Sequence, residues 1–266
     1  RAMSCVPQYD ILSGGFPCQT FSMMGSQEGF GEERGQMFFR IMDMVYSKKP
    51  RYILLENVKN IMTHDKGKTI AVIKSELEKA GYVVKIDIFN SADYGLPQKR
   101  NRAIIFARKA SMGPFDFSEE LVRDTFVGID RSECSLNFFE NTISVLDKQV
   151  DQKYYLSERI KPTILSDGSA GFKSKSDIDQ IIARPLTASM HKMHRAGVDN
   201  YVTTQGRLRK LMPRECLRLM GFSDNFKIVV SDTAMYQQAG NSIVVDVLIN
   251  ILNEIMKSYP NLTSDN

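Results

Sequence analysis

The chain has 266 residues, 42% of them hydrophobic and 25% charged, with a formal net charge of +4. That is enough chain for one large domain or two modest ones, and the balance is that of an ordinary globular protein rather than a disordered one. No apolar run reaches the roughly 18 residues that a membrane span needs, and no signal peptide is visible. The four cysteines, Cys5, Cys18, Cys134 and Cys216, form no CxxC pair. This argues against a disulfide framework and against any metal site, and it fits a reducing, cytoplasmic setting.

Taken in chain order, Tyr9–Gly15 (YDILSGG) is a short apolar run ending in glycines, which predicts a buried strand feeding a loop. Residues 22–35 hold four glycines and little periodicity, the signature of a long mobile loop. Gln36–Ser47 has apolar residues at helical spacing, Arg51–Val58 reads as a strand, and Lys68–Tyr82 reads as an amphipathic helix closed by Gly81. Two further strands follow, Val83–Asn90 and Asn101–Lys109. Strands alternating with helices predict a mostly parallel α/β sheet. From 113 to 184 periodicity weakens and elements shorten, which suggests a second, smaller domain or a large insertion. A helix is predicted from Pro213 to a cap at Gly221, and an apolar helix from Asn241 to Tyr259.

Three local features carry chemistry. Cys18 sits in GGFPCQTFS, beyond a predicted strand and within a Gly-Pro turn, where nucleophiles of α/β enzymes are placed. Taken alone, a single cysteine is more often a small core residue. Glu56 of Glu56-Asn57-Val58 ends the next strand on the same sheet edge, where a carboxylate serves as proton donor or as acceptor. In DYGLPQKRNR, Arg100 and Arg102 alternate into a strand and therefore point to opposite faces. The basic residues Lys99, Arg100 and Arg102, and Arg207, Arg209, Lys210 and Arg214, read on charge alone as solvated faces. His64, His191 and His194 stand in no recognisable triad context.

Taken together, GGFPCQTFS, ENV, PQKRNR, RKLMPRECLRLMGF and GNSIVV appear in an order that closely resembles the cytosine-C5 DNA methyltransferases, especially the bacterial ones. The resemblance covers nearly the whole chain outside 113–184. It implies a Rossmann-like, S-adenosylmethionine-dependent methyltransferase sheet over 1–112, a smaller target-recognition region over 113–206, and a segment from 207 to 266 that returns to the catalytic domain. It further implies that Cys18 adds to carbon 6 of a cytosine flipped out of double-stranded DNA. Glu56 holds the N3 and amino edge, Arg102 holds the O2 edge, and Arg100 supports. Pro17, Asn241, Ser242 and Ile243 would contact S-adenosylmethionine, while Arg34, Gln98, Arg207, Arg209 and Lys210 would contact DNA.

Members of that family begin with a Gly-rich cofactor turn, roughly 60 to 80 residues before the cysteine on the topology that cradles a nucleotide at a strand–helix turn. Only 17 residues precede Cys18 here, and none carries that turn. The fold is therefore expected to be N-terminally incomplete, with an apolar edge on the Tyr9–Gly15 strand. Three readings remain open: a portion of an ordinary enzyme, one half of a split enzyme completed by a second chain, or a catalytically inactive remnant that binds DNA.

Overall fold

Residues Ile11–Gly15 alternate between exposed and half-buried positions and form the first strand, β1. The protein is described by a computed structural model over residues 6–17, 36–127, 139–166, 168–169, 172–173, 175–192 and 194–258. Cys18, Arg34 and the expected loop 22–35 lie outside the described residues. Helix α1 (Gln36–Lys48) buries Phe38, Met42 and Val45, an i, i+4, i+7 stripe. Strand β2 (Tyr52–Val58) is apolar at nearly every early position, as a strand covered on both faces should be. Helix α2 (Lys68–Lys79) buries Ile73 and Leu77 one turn apart, and Gly81 follows in the left-handed region at φ 90°. Strands β3 (Tyr82–Asn90) and β4 (Asn101–Lys109) complete a four-stranded sheet in the order β1-β2-β4-β3.

The sheet meets one expectation and departs from another. β1 is an edge strand, as expected of Tyr9–Gly15, with Ile11 38% exposed and, among the described residues, a sheet partner on one side only. β2 pairs in parallel with β1 but antiparallel with β4, so the sheet is mixed. The connection explains the reversal: a parallel return needs a crossover of a dozen residues or more. The link between β3 and β4 is short and holds only the 3-10 turn Ser91–Tyr94.

Each face of this sheet carries its own layer. On one, α1 and α2 bring Phe38, Met42, Ile73 and Leu77 against Ile53, Leu55, Ala103, Ile105 and Ala107. On the other, Tyr52 stacks on Phe106 at 6.0 Å between ring centres, and Phe106 meets Phe117 at 4.7 Å. Glu56 and Arg102 belong to this second face by strand alternation.

The chain divides into two compact units, residues 1–89 with 101–122, and residues 90–100 with 123–266. The divisions expected at 112 and 206 follow the chain, whereas these units do not, because segment 90–100 belongs with the second. Helix α3 (Glu119–Val127) carries the chain from one to the other. The second unit contains the short helix α4 (Lys161–Leu165), a two-residue antiparallel pair β5 (Gly168–Ser169) and β6 (Phe172–Lys173), and the hairpin β7 (Tyr201–Thr204) and β8 (Arg207–Lys210). Gln205 and Gly206 both take positive φ, 52° and 71°, as a two-residue hairpin loop requires to match strand twist.

Helices α5 (Pro213–Leu219), α6 (Asp232–Asn241) and α7 (Val245–Ser258) complete the unit. The predicted continuous helix from Asn241 is broken at Ser242, which is extended at φ −69°, ψ 152°. Asp232–Lys257 is apolar and long enough by composition to cross a membrane. It is nevertheless two helices, and α7 buries Asp246 and Asn250 beside Val247, Ile251 and Ile255.

Candidate active site

Glu56 ends the apolar run of β2, and its register partners bring a specific set of groups around it. Gly15 of β1 stands directly opposite, and a Cβ there would lie 3.4 Å from Glu56 Oε2. On the other side Glu56 pairs with Ile104, which leaves Arg102 as its diagonal neighbour on the same face. Arg102 Nε lies 2.6 Å from Glu56 Oε1, and the two side chains are 19% and 16% exposed. Burial lowers the Arg102 pKa from its ordinary value while Glu56 opposes that shift. The pair is thus a shielded, fixed ion pair at the carboxyl end of β2, with its second carboxylate oxygen turned toward the side-chain-free Gly15.

Asn57, the next residue, is buried, and its Nδ2 donates to the Phe16 carbonyl at 2.6 Å. It ties the end of β2 to the Phe16-Pro17 turn, which leads directly into Cys18. Asn57 was legible as part of Glu-Asn-Val, but its bracing role was not. Its target is a backbone carbonyl 41 positions away.

The second unit holds Gln98, Arg100, Arg207, Arg209, Lys210, Asn241, Ser242 and Ile243. Arg100 is 2% exposed, and its guanidinium donates to the carbonyls of Leu186, Gly240 and Ser242 at 2.9, 3.0 and 3.0 Å. It is a positioning residue rather than one that reaches a substrate. Gln98, expected to contact DNA, is wholly buried: its Nε2 donates to the Leu219 carbonyl at 2.8 Å and its Oε1 accepts from Leu186 N at 2.9 Å. Arg209, also expected at DNA, is wholly buried and bidentate on Glu215, with both contacts at 2.8 Å. Glu215 in turn accepts from Met212 N and Asp147 N. Both DNA assignments are corrected. Where they sit, these side chains have no surface to present, and their polar groups satisfy internal partners instead.

Arg207 does remain at the surface, over the Tyr155 ring at 4.0 Å and donating to Gln152 Oε1 at 2.9 Å. Lys210 is half-buried with its Nζ 5.1 Å from the Tyr236 ring. Asn241 and Pro17 are exposed, and Ser242 Oγ donates to the Ile243 carbonyl at 2.9 Å. The histidines make local contacts: His64 Nδ1 with Thr69 Oγ1 at 2.7 Å, and His191 Nδ1 with the Ala188 carbonyl at 3.0 Å. Burial and Lys210 lower the His194 pKa.

Known structures share this architecture. An S. pombe Dnmt2 methyltransferase matches 95% of this chain and 79% of its own length with a TM-score of 0.73 at 21% identity. The Entamoeba histolytica methyltransferase EhMeth matches with a TM-score of 0.66 at 20% identity, over 94% of this chain and 77% of that one. The fold is therefore that of the Rossmann-like methyltransferases. Sequence takes the assignment further. The type II methyltransferase M.HhaI of Haemophilus parahaemolyticus is 35% identical over 95% of this chain and 77% of its own. M1.ScrFI of Lactococcus lactis subsp. cremoris is 36% identical over 95% of this chain and 63% of its own. The family model described as C-5 cytosine-specific DNA methylase matches residues 3–257, and the chain belongs to that family. The family's reaction is enzymatic methylation of cytosine at carbon 5 in DNA, which requires a methyl donor.

Proposed function

We propose that this chain carries the cytosine-handling machinery of a DNA (cytosine-5)-methyltransferase that uses S-adenosylmethionine. The observation that carries this reading is the shielded Glu56–Arg102 pair beside Gly15, three residues before Cys18 in a chain of this family. The target base leaves the duplex stack, which costs about a few kcal/mol, and enters with its polar edge toward Glu56 and Arg102.

Carbon 5 of cytosine is a weak nucleophile, and Cys18 corrects this. Its thiolate forms a bond from Sγ to carbon 6, and the electron pair of the 5,6 double bond becomes available at carbon 5. Glu56 takes up a proton from solvent as the base enters and passes it to N3 as negative charge develops in the ring, and Arg102 donates toward O2 while holding the Glu56 carboxyl in place. S-adenosylmethionine, when bound, supplies an electrophilic methyl group. Afterwards carbon 5 gives up its proton to a solvent base, the electron pair of that bond re-forms the 5,6 double bond, and Cys18 leaves as thiolate while N3 returns its proton to Glu56. Among the described residues the carboxamide of Asn241 has no partner, so it fits a polar contact with that donor. Ser242 and Ile243 would form its wall.

Residues 113–206 form the target-recognition region in this reading. Arg207, Lys210 and Arg34 contribute positive charge toward phosphate, and double-stranded DNA is the partner. The test is transfer of labelled methyl from S-adenosylmethionine to cytosine in duplex DNA. Glu56→Gln is expected to lower kcat by about 10² to 10⁴, the usual value of a positioned acid, with DNA affinity held within about twofold. Transfer at the wild-type rate by Glu56→Gln would overturn the assignment.

A further inference from the structure

Segment 183–188 is held from behind with unusual completeness. Ala183 bonds Pro97 and Lys99 through its backbone at 2.7 and 2.9 Å. Both backbone groups of Leu186 are then caught by side chains, its N–H by Gln98 Oε1 and its carbonyl by Arg100 Nη1. Gln98 also reaches Leu219, and Arg100 also reaches Gly240 and Ser242, so two side chains bind three distant stretches of chain together.

Gly240 completes the joint. A Cβ at that position would lie 2.3 Å from Ala188 N and from Thr187 C, and 2.6 Å from Ala188 Cα. These are backbone atoms and cannot rotate aside, so α6 and segment 187–188 touch directly, backbone to backbone. Beyond that contact the chain turns through Ser189, His191 and Lys192. Arg195 ties the turn shut, with Nη2 on Thr187 Oγ1 at 2.7 Å and Nη1 on Ser189 Oγ at 3.0 Å, backed by Asp199 at 2.6 Å. Ser189 and His191 are half-buried and Lys192 is exposed.

We infer that Gln98, Arg100 and Gly240 are positioning residues for DNA sequence discrimination: they reach no base, yet they fix where turn 187–192 meets the duplex. The inference rests on the reading of 113–206 as the recognition region. Readout of base edges depends on groups placed to within a fraction of an ångström. A shift of the Thr187–Ala188 backbone therefore degrades specific contacts while leaving phosphate contacts intact.

The experiment is selection of duplexes from a randomised pool by the wild-type protein, then measurement of binding to the enriched site and to a scrambled duplex. Gly240→Ala is expected to reduce the ratio of the two affinities by about tenfold or more, the scale of one mismatched base pair. Scrambled-duplex affinity and its salt dependence should stay within about twofold of wild type. Ile251→Ala, which empties core space on α7, provides the comparison for general loosening and is expected to keep the ratio. Should Gly240→Ala fail to fold, Arg100→Lys, which retains the charge but cannot serve three carbonyls, is read in the same way. A ratio unchanged in the variant, or lost equally in Ile251→Ala, overturns the inference. So does a wild-type protein that enriches no sequence, whatever its methyl transfer. The functional reading itself stands or falls on the transfer assay.

Discussion

The two units of this chain are built on different physics. The sheet unit is held by apolar layers: Ile53, Leu55, Ile105 and their helical partners on one face, and stacked aromatic rings on the other. The other unit has only two- and four-residue strands. Beside an apolar cluster around Leu156, Ile164 and Tyr201, it relies on buried or half-buried arginines: Arg100 on three distant carbonyls, Arg209 on nearby Glu215, and Arg218 on Asp147 and Asp224. A layered core tolerates the loss of one methyl group gradually. A polar strut fails in one step, because removing one partner leaves the other buried and unsatisfied.

The sharpest way to break this comparison is at Arg209–Glu215. Arg209→Met alone is expected to cost about 3–5 kcal/mol, seen as faster amide exchange in 201–220 with the β2 and β4 amides unchanged. Pairing it with Glu215→Leu should recover most of that loss, since no charge remains buried. Equal exchange in both units would contradict the division of labour. Next in size, Leu55→Ala should cost about 2–5 kcal/mol through a cavity in the sheet layer, read by chemical denaturation, with protection lost first in β2 and β4.

A smaller, pH-dependent effect is expected at Asp246. Burial raises its pKa from the ordinary 3.8 to about 7. The folded state then binds a proton more tightly than the unfolded one, so the carboxyl weakens folding progressively as pH rises from about 4 to about 7 and by a constant amount above. Asp246→Asn should therefore raise Tm at pH 8 and have little effect near pH 4. A uniform shift across that range would show that the charge is not responsible. Smallest of all, Arg207→Ala should reduce the salt slope of DNA binding by about one unit while changing stability by less than about 0.5 kcal/mol.

The same contrast governs what could be read from sequence. The sheet unit was legible because apolar periodicity reports it directly: the predicted strand Asn101–Lys109 and helix starts at Gln36 and Lys68 match the structure. What periodicity could not show was neighbour order. The antiparallel pairing of β2 with β4 depends on connections, not on residue pattern. Glu56 was legible as the end of its strand, whereas Arg102, near the start of β4, was found through the resemblance carried by PQKRNR.

The second unit was misread where charge was taken for surface. Gln98 and Arg209 look like DNA ligands in a basic run, yet their partners lie at Leu186, Leu219 and Glu215. Nothing in a run of arginines distinguishes a guanidinium that meets phosphate from one that meets a buried carboxylate. Only the folded distance decides. Gly240 was likewise read as part of a motif, whereas its lack of a side chain is explained by the backbone of Thr187 and Ala188.

The most direct test of the account is to supply duplex DNA carrying 5-fluorocytosine at the target position together with S-adenosylmethionine. Fluorine at carbon 5 cannot depart as the proton does, so the bond from Cys18 Sγ to carbon 6 should persist as a protein–DNA complex that survives denaturation. The account predicts that complex for the wild-type protein and its absence for Cys18→Ser with DNA affinity retained. An equal yield of complex from Cys18→Ser, or methyl transfer by that variant at the wild-type rate, would contradict covalent catalysis by Cys18.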